Sequence, residues 1–276
     1  MAPNLEPGSR HPIPVRHPDF PFDASIPRHW ADGNPVASHI FNALNLTFPE
    51  GERFFIRAVN DHVGQIEDSA LRKQARGFAG QEAVHGREHE RYFDVLRAQG
   101  YRIDRFLRHF ERFLRVMNRL PRSLRLAMTA GAEHYTATLG HFALSNGETR
   151  KFHPTMQALI VWHAVEEVEH KAVAYDVMQD AGIGYGTRIA GYALATFALL
   201  TWAAIGCRML LRQDGIDRTE AAALRKQLEA RVDPALVAHT RRQLRAYLRR
   251  DFHPNDVDDL DVAYARLDEI RSLAAF

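Results

Sequence analysis

This 276-residue sequence contains two Glu-x-x-His motifs, whose residue types and spacing indicate a chemical role more clearly than those of any other segment. Glu82 and His85 form the first motif, and Glu167 and His170 form the second. A spacing of three residues places both side chains on one face of a helix, where a carboxylate oxygen and an imidazole nitrogen can bind the same metal ion. The chain contains 15 histidines, so two such motifs alone do not establish a metal site.

A lone glutamate precedes each motif by about the length of a helical hairpin. Glu52 lies 30 residues before Glu82, and Glu133 lies 34 residues before Glu167. This order matches four-helix di-metal carboxylate sites, in which two helices each supply one Glu and two others each supply Glu-x-x-His. A rise of ~1.5 Å per residue puts the members of each hairpin at nearly the same height. The sequence therefore predicts a two-metal centre with the ligands Glu52, Glu82, His85, Glu133, Glu167 and His170.

The residues beside these glutamates are mostly apolar or small, which favours a bound cation. Burial of Glu and His is costly unless the groups are paired or bound to metal. The alternative is that some of the glutamates face solvent and pair with nearby arginines. His89 and His163 lie one helical turn from the motif residues His85 and Glu167, and each is a candidate for an additional ligand or a supporting partner.

Other residues near the motifs are weaker candidates. No catalytic residue is assigned from the sequence, but Tyr135, two residues after Glu133, is a candidate to line the site or to serve as a radical or hydrogen-bonding group, although such tyrosines more often pack. Glu169 is expected to point away from Glu167, because residues two apart do not share a helix face. Close substitutes for the six ligands are Glu50, Asp61, His134, Glu166 and Glu169.

Helical patterns dominate the chain, which predicts an all-α fold: a ferritin-like four-helix bundle with an additional long apolar helix and C-terminal helices. Prolines that open helices and Gly or Asn-Gly positions that end them mark the boundaries. Helices are predicted over residues 37–46, 50–65, 68–98, 103–117, 121–145, 154–181, 187–212, 218–231, 233–250 and 259–274. The predicted divisions are an extended N-terminal arm (1–35), the di-metal bundle (36–212) and a C-terminal helical extension (213–276).

The predicted apolar helix over residues 187–212 is relevant to where the protein resides in the cell. Between Arg188 and Arg208 lie 19 residues without a charge, a run long enough to span a bilayer as a helix. The segment 189–207 is therefore a candidate for membrane insertion or surface attachment, and the alternatives are a core helix or a homodimer interface. No apolar signal segment is visible at the N-terminus, so we expect a cytoplasmic or inner-membrane-associated protein that is not secreted.

Composition excludes several classes of protein. The net charge of +2, from 36 basic and 34 acidic residues, gives no reason to expect a nucleic-acid partner. The single cysteine, Cys207, excludes an internal disulfide and a cysteine metal cluster. Neither a phosphate-binding glycine loop nor a Gly-x-Ser-x-Gly elbow is present. The arginine-rich segment 218–250 could contact anionic lipid, solvent or a second subunit.

Several segments also resemble a known family. The sequences FPEGERFF, GQEAVHGREH, AEHYTA, VEEVEHKAVAYDV and DFHP are similar to the bacterial family named only as predicted metal-dependent hydrolases, over roughly residues 35 to 255. Resemblance to di-iron carboxylate proteins implies that Glu82 and Glu167 bridge two metals. The lone glutamates would then be terminal ligands, and each metal would take one histidine.

Carboxylate and imidazole ligands without thiolate suit iron, manganese or zinc, and we expect two metal ions, with iron the first choice. The main functional hypothesis is an oxygen-activating oxidation of a small apolar or lipid-like substrate, which the apolar helix favours. The family name favours the alternative, a hydrolase that uses a metal-bridging hydroxide. The second alternative is a ferroxidase or an iron-handling protein.

Overall fold

The computed structural model describes residues 13–274, and over this range the fold is all-α, without a β-strand, as predicted. The α-helices are α1 (Pro35–Asn45), α2 (Phe48–Val63), α3 (Ser69–Ala98), α4 (Asp104–Met117), α5 (Arg122–Ser145), α6 (Pro154–His170), α7 (Val173–Asp180), α8 (Tyr185–Gln213), α9 (Arg218–Glu229), α10 (Pro234–Ala246) and α11 (Leu260–Ile270). Short 3-10 helices cover Gly147–Lys151 and Pro254–Asp256.

Local sequence signals set most helix ends. Pro35, Pro49, Pro154 and Pro234 lie in the first turns of α1, α2, α6 and α10, where a missing N–H costs no helical hydrogen bond. The side chain of Asp68 accepts hydrogen bonds from the first backbone N–H groups of α3. These signals explain why most predicted boundaries lie within a few residues of the observed ones.

The predicted helix over residues 154–181 is wrong in one respect, because the structure divides it into α6 and α7. No Gly or Pro marks the interruption, which falls at Lys171 and the following residue. The buried Lys171 Nζ donates to Asp259 Oδ1 at 2.5 Å and to the carbonyl of Val257 at 2.6 Å. These partners lie far along the chain, so a local pattern could not indicate them.

The helices that carry the predicted ligands pack together around apolar side chains. Helix α2 packs along α3, and α5 packs along both α6 and α8. Buried aromatic residues fill the space between them, among them Phe54, Phe78 and Trp162. The polar residues on the inner faces of these helices are therefore surrounded by hydrocarbon.

The described part of the N-terminal arm is extended but is not a free tether. Ile13 and Trp30 are buried in the bundle. A Cβ atom on Gly77 would lie 2.8 Å from the Cβ of Ile13, and one on Gly80 would lie 2.6 Å from a methyl group of Val15. These two glycines of α3 therefore let the arm pass close over the helix. Residues 1–12 of the predicted arm lie outside the described range.

Helix α8 is long and apolar enough to cross a membrane, with a mean hydropathy of 1.7 over a window that is 28% buried. Its buried side lies against α5 at very short range. A Cβ atom on Gly191 would lie 2.4 Å from the carbonyl carbon of Ala127, and one on Gly131 would lie 2.8 Å from the Cα of Tyr192. Small residues thus fix α8 to the bundle.

We expect Gly191→Ala to destabilise the protein by about 1–3 kcal/mol, because the added methyl group meets backbone that cannot move cheaply. Gly186→Ala is the matched control in the same helix, since nothing lies within 4 Å of its added Cβ. That variant should be neutral or gain up to about 1 kcal/mol from helix propensity. Urea unfolding measures both, and equal stabilities would contradict the close α5–α8 contact.

Candidate metal centre

The structure brings the six predicted ligand residues into one buried cluster. Helices α2 and α5 each supply a lone glutamate, and α3 and α6 each supply a Glu-x-x-His motif. No member of the cluster has more than 3% of its surface exposed. The alternative in which some of these glutamates face solvent therefore does not hold. The members are Glu52, Glu82, His85, Glu133, Glu167 and His170.

The two motif glutamates lie between the two motif histidines. Glu82 Oε1 is 3.7 Å from His85 Nδ1 and 3.2 Å from His170 Nε2. Glu167 Oε1 is 3.7 Å from His85 Nδ1, and its Oε2 is 3.4 Å from His170 Nε2. Each of these carboxylates faces both imidazoles, which is the position that a bridging ligand requires.

The lone glutamates lie at opposite ends of this arrangement. Glu52, Glu82 and His85 each have one atom that could bind a metal ion within 4.8 Å of the corresponding atoms of the other two. Donor atoms of Glu82, Glu133 and His170 form a second such set, in which Glu133 Oε2 is 3.1 Å from His170 Nε2. The two sets share Glu82, so the geometry has room for two neighbouring cations.

Two further histidines make the cluster asymmetric. His163 Nε2 is 3.1 Å from Glu167 Oε1, and the His163 ring stacks on His85 with 4.3 Å between ring centroids. His163 Nδ1 is in turn hydrogen-bonded to His89 Nε2 at 2.8 Å. Both extra imidazoles therefore lie on the side of His85, where donor atoms of His163 and His89 also approach Glu52.

The atoms that face the middle of the cluster make no hydrogen bond of good geometry within the described part of the chain, although Glu133 Oε2 and His170 Nε2 lie 3.1 Å apart. Buried polar atoms are nearly always hydrogen-bonded, so a set of unpaired polar atoms that face one another is unusual. Cations would satisfy all of them at once, and the residues present fit a two-metal centre. The unpaired atoms are both carboxylate oxygens of Glu52, Glu82 and Glu133, Oε2 of Glu167, Nδ1 of His85 and Nε2 of His170.

Electrostatics lead to the same conclusion. Burial raises the pKa of Glu52 and of Glu82 well above the usual carboxyl value, and the neighbouring carboxylates raise both further. Burial also raises the pKa of Glu133 to about 7, against the opposing attraction of His170. Burial acts on Glu167 in the same direction, but His170 and His163 together outweigh it and hold that pKa well below the usual value. Without cations, the four carboxyls cannot all ionise at neutral pH.

A hydrogen-bonded chain fixes the orientation of His170. Gln81 Nε2 donates to Glu169 Oε2 at 2.8 Å and to the carbonyl of Pro14 at 2.9 Å. Gln81 Oε1 therefore accepts from His170 Nδ1, at 2.9 Å. This fixes a proton on Nδ1 and leaves Nε2 directed at the carboxylates, where the neutral form of the ring can bind a metal ion.

A second chain orients His85. His85 Nε2 donates to Glu166 Oε2 at 3.0 Å, which leaves Nδ1 free to bind metal. Glu166 Oε1 accepts from Trp162 Nε1 at 2.9 Å and from Arg16 at 3.0 Å. A carboxylate behind a ligating histidine is a common device for fixing its tautomer and raising its basicity.

Arg16 of the N-terminal arm joins the two chains. Its guanidinium group makes a bidentate pair with Glu169, with distances of 2.7 and 2.6 Å, in addition to its contact with Glu166. Burial raises the pKa of Glu166 to about 7, and Arg16 opposes that rise. Sequence reasoning treated Glu166 and Glu169 only as substitute ligands and missed Arg16 and Gln81. The predicted orientation of Glu169, away from the centre, agrees with these contacts.

The remaining sequence candidates have partners elsewhere. Tyr135 stacks on Tyr192 with 5.3 Å between ring centroids and accepts a hydrogen bond from Thr196, so it faces α8 rather than the cluster. Its position two residues after Glu133 explains this, because such residues do not share a face. Among the substitute ligands, Glu50 pairs with Arg53, Asp61 pairs with Arg125, and His134 donates to the carbonyl of Gln243.

A separate His/Asp group lies where the arm meets α1 and the end of α8. Asp214 Oδ2 is 2.7 Å from His29 Nε2 and 2.6 Å from His39 Nε2, and its other oxygen accepts from Tyr101 at 2.9 Å. These are ordinary hydrogen-bond distances, and they satisfy the carboxylate. The group connects four segments of the chain, and no motif in the sequence indicated it.

Apolar cavities adjoin the cluster on the side of its extra histidines. One, of about 70 Å³, is lined by His89, His163 and hydrocarbon side chains. The other, of about 90 Å³, shares Phe48, Thr136 and Leu199 with the first and extends to an aromatic group around Trp202. The two apolar cavities therefore lie next to each other beside the cluster.

We expect Arg16→Met to weaken metal binding by roughly ten- to a hundredfold, because loss of a partner behind metal ligands typically has that effect. Arg28→Met is the matched control on the same arm, since this arginine is half exposed and lies near Asp214 instead. Competition with a chelator measures the affinity, and circular dichroism checks the helical content. Equal affinities for Arg16→Met and the wild-type protein would contradict the assigned role.

Comparison with known proteins agrees with the resemblance seen in the sequence. A family model described as predicted metal-dependent hydrolase matches residues 14–258, a range that contains Arg16 and all six cluster residues. No curated protein and no solved structure matches. The description names metal dependence and hydrolysis, and thus agrees better with the hydrolase alternative than with oxidation. The chain belongs to the family of predicted metal-dependent hydrolases.

Proposed function

We propose that the chain is a two-metal carboxylate enzyme of ferritin-like type that uses dioxygen to oxidise a small apolar substrate. The observation that carries the proposal is the position of Glu82 and Glu167, each between His85 and His170 in a buried cluster. Four glutamates and two histidines on four helices form the ligand set of ferritin-like di-iron and di-manganese proteins. Four ionised carboxylates also balance the charge of two divalent ions.

In this proposal, the ligands divide between two ions. Glu52 and His85 would hold one ion, Glu133 and His170 would hold the other, and the motif glutamates would bind both. Bound iron would supply the redox chemistry with dioxygen, which zinc cannot supply. His163 would be an additional ligand on the His85 side or would orient Glu167, whose Oε1 lies 3.1 Å from it.

The remaining residues would position the substrate and move protons. Phe48 and Leu199 line both apolar cavities and would keep water away from a hydrocarbon bound there. His89 has an unpaired Nδ1 and donates to or accepts from His163 through Nε2. Burial lowers the pKa of His89 well below its usual value, so its ring is neutral and can pass a proton between the cluster and the cavity.

Hydrolysis is the second candidate, and the family description favours it. The same cluster would bind zinc or manganese, and the His163–His89 pair would accept a proton from the attacking water. A third candidate, oxidation of ferrous iron alone, needs no organic substrate and would give the apolar cavities no role. The candidates differ in the metal and in the need for dioxygen, which makes them separable by experiment.

We expect Glu82→Ala and Glu167→Ala each to abolish binding of two metal ions, because each substitution removes a carboxylate shared by both. Glu90→Ala is the control in α3, where Glu90 is exposed and pairs with Arg53. Elemental analysis gives the metal content per chain, and circular dichroism gives the helical content. Two metals retained in both cluster variants would contradict the ligand assignment.

The iron-loaded, reduced protein should consume dioxygen, and addition of a medium-chain hydrocarbon or fatty acid should couple that uptake to an oxidised organic product. An oxygen electrode and mass spectrometry measure the two events, with Glu167→Ala as the control. The zinc-loaded protein should be inactive in this assay. If instead the zinc-loaded protein hydrolyses long-chain esters and the iron-loaded protein consumes no dioxygen, the oxidation proposal is wrong and the hydrolase candidate replaces it.

A further inference from the structure

Helix α8 has an apolar side that is exposed and that no other part of residues 13–274 covers. Phe197 is 65% exposed and Leu200 is 60% exposed, although both belong to the longest uncharged run of the chain. The exposed side chains recur at three- to five-residue intervals and therefore lie along one side of the helix. This apolar stripe consists of Leu194, Phe197, Leu200 and Ile205.

The opposite side of α8 is held to the protein along its length. Gly191 near its start contacts Ala127 of α5, and Gly206 near its end lies against Ala43 of α1 and Phe106 of α4. A helix attached in this way lies along the surface of the protein and presents its stripe sideways. That is the geometry of an interfacial helix, which lies in the plane of a membrane, rather than of a spanning helix.

Arginines without acidic partners follow the stripe. Arg208 and Arg212 continue the exposed side of α8, and Arg218 begins α9. All three arginines line one groove between α8 and α9, so the cations lie close together, and the charges of Arg212 and Arg218 lower the pKa of Arg208. No ion pair joins any of them to a carboxylate within residues 13–274. An anionic partner would relieve this repulsion.

The same arginines line a groove of about 920 Å³ between α8 and α9. Its other lining includes apolar side chains such as Leu211 and Ile216. Five basic residues line it against two acidic ones, Asp217 and Glu229. A groove with a cationic border and an apolar floor suits a group that has an anionic head and a hydrocarbon tail.

We propose that the apolar stripe and these arginines dock the protein on the surface of an anionic lipid bilayer. The stripe would enter the acyl region, and the arginines would contact lipid phosphates. A second copy of the chain is a poorer occupant, because the stripe carries no acidic residue that could pair with the partner's arginines. Ala195 and Trp202 of α8 also line the apolar cavity of about 90 Å³, so a docked protein could take up a membrane-dissolved substrate there. This delivery of substrate rests on the proposed function. Docking itself does not rest on it.

Vesicle flotation tests the docking with the full-length, metal-free protein, so that a wrong metal assignment cannot affect the result. The vesicles are neutral phosphatidylcholine alone, or with phosphatidylglycerol added. The variants are Phe197→Ser/Leu200→Ser and Arg208→Gln/Arg212→Gln/Arg218→Gln. The controls are Val262→Ser on α11, which packs against α6, and Arg271→Gln directly after that helix, and both residues are exposed.

We expect the wild-type protein and both controls to bind anionic vesicles and to bind neutral ones much more weakly. The serine variant should lose at least roughly tenfold in binding, and each lost arginine should weaken binding roughly fivefold at low salt. Absence of wild-type binding would overturn the proposal, as would vesicle binding that the serine variant leaves unchanged. A stable dimer that the serine substitutions dissociate, measured by sedimentation equilibrium without lipid, would assign the stripe to a second copy instead.

Discussion

The burial of four neighbouring carboxylates governs the arrangement of the residues around them. Four glutamates from four helices meet in an apolar interior, and burial raises the pKa of Glu52, Glu82 and Glu133. A fold selected for stability alone would have apolar residues in this layer, because they pack without a desolvation cost. The cluster is therefore best explained by a role that needs cations. The folded chain already holds the carboxylates and imidazoles close enough together to bind them.

The surrounding structure supports the two motif histidines from behind. Two hydrogen-bonded chains leave His85 Nδ1 and His170 Nε2 directed inward, and both chains end at Arg16. Arg16 reaches this position because the arm passes over Gly77 and Gly80 at distances that exclude side chains. Thus the irregular N-terminal arm, whose composition indicates only an extended segment, contributes to the orientation of ligands on α3 and α6.

The sequence predicts the all-α fold and the members of the cluster because both depend on helical periodicity and on residue types at fixed spacing. Glu52 and Glu133 could be found from the order of the motifs alone. The hydrogen-bonded chains behind His85 and His170 could not be predicted, because Arg16, at which both chains end, pairs with residues about 150 positions away. Tyr135 could have been excluded from the cluster by its spacing from Glu133. The division between α6 and α7 falls at Lys171, which pairs with the distant Asp259, and no Gly or Pro marks it in the sequence.

The position and number of bound metal ions would show whether the six-residue cluster is a two-metal centre. Crystals of the iron-loaded protein, measured at wavelengths on either side of the iron absorption edge, would show each iron as an anomalous peak. We expect two neighbouring peaks per chain, both between Glu82 and Glu167, with one next to His85 and the other next to His170. A single peak, no peak, or iron only at the His29–His39–Asp214 group would contradict this expectation.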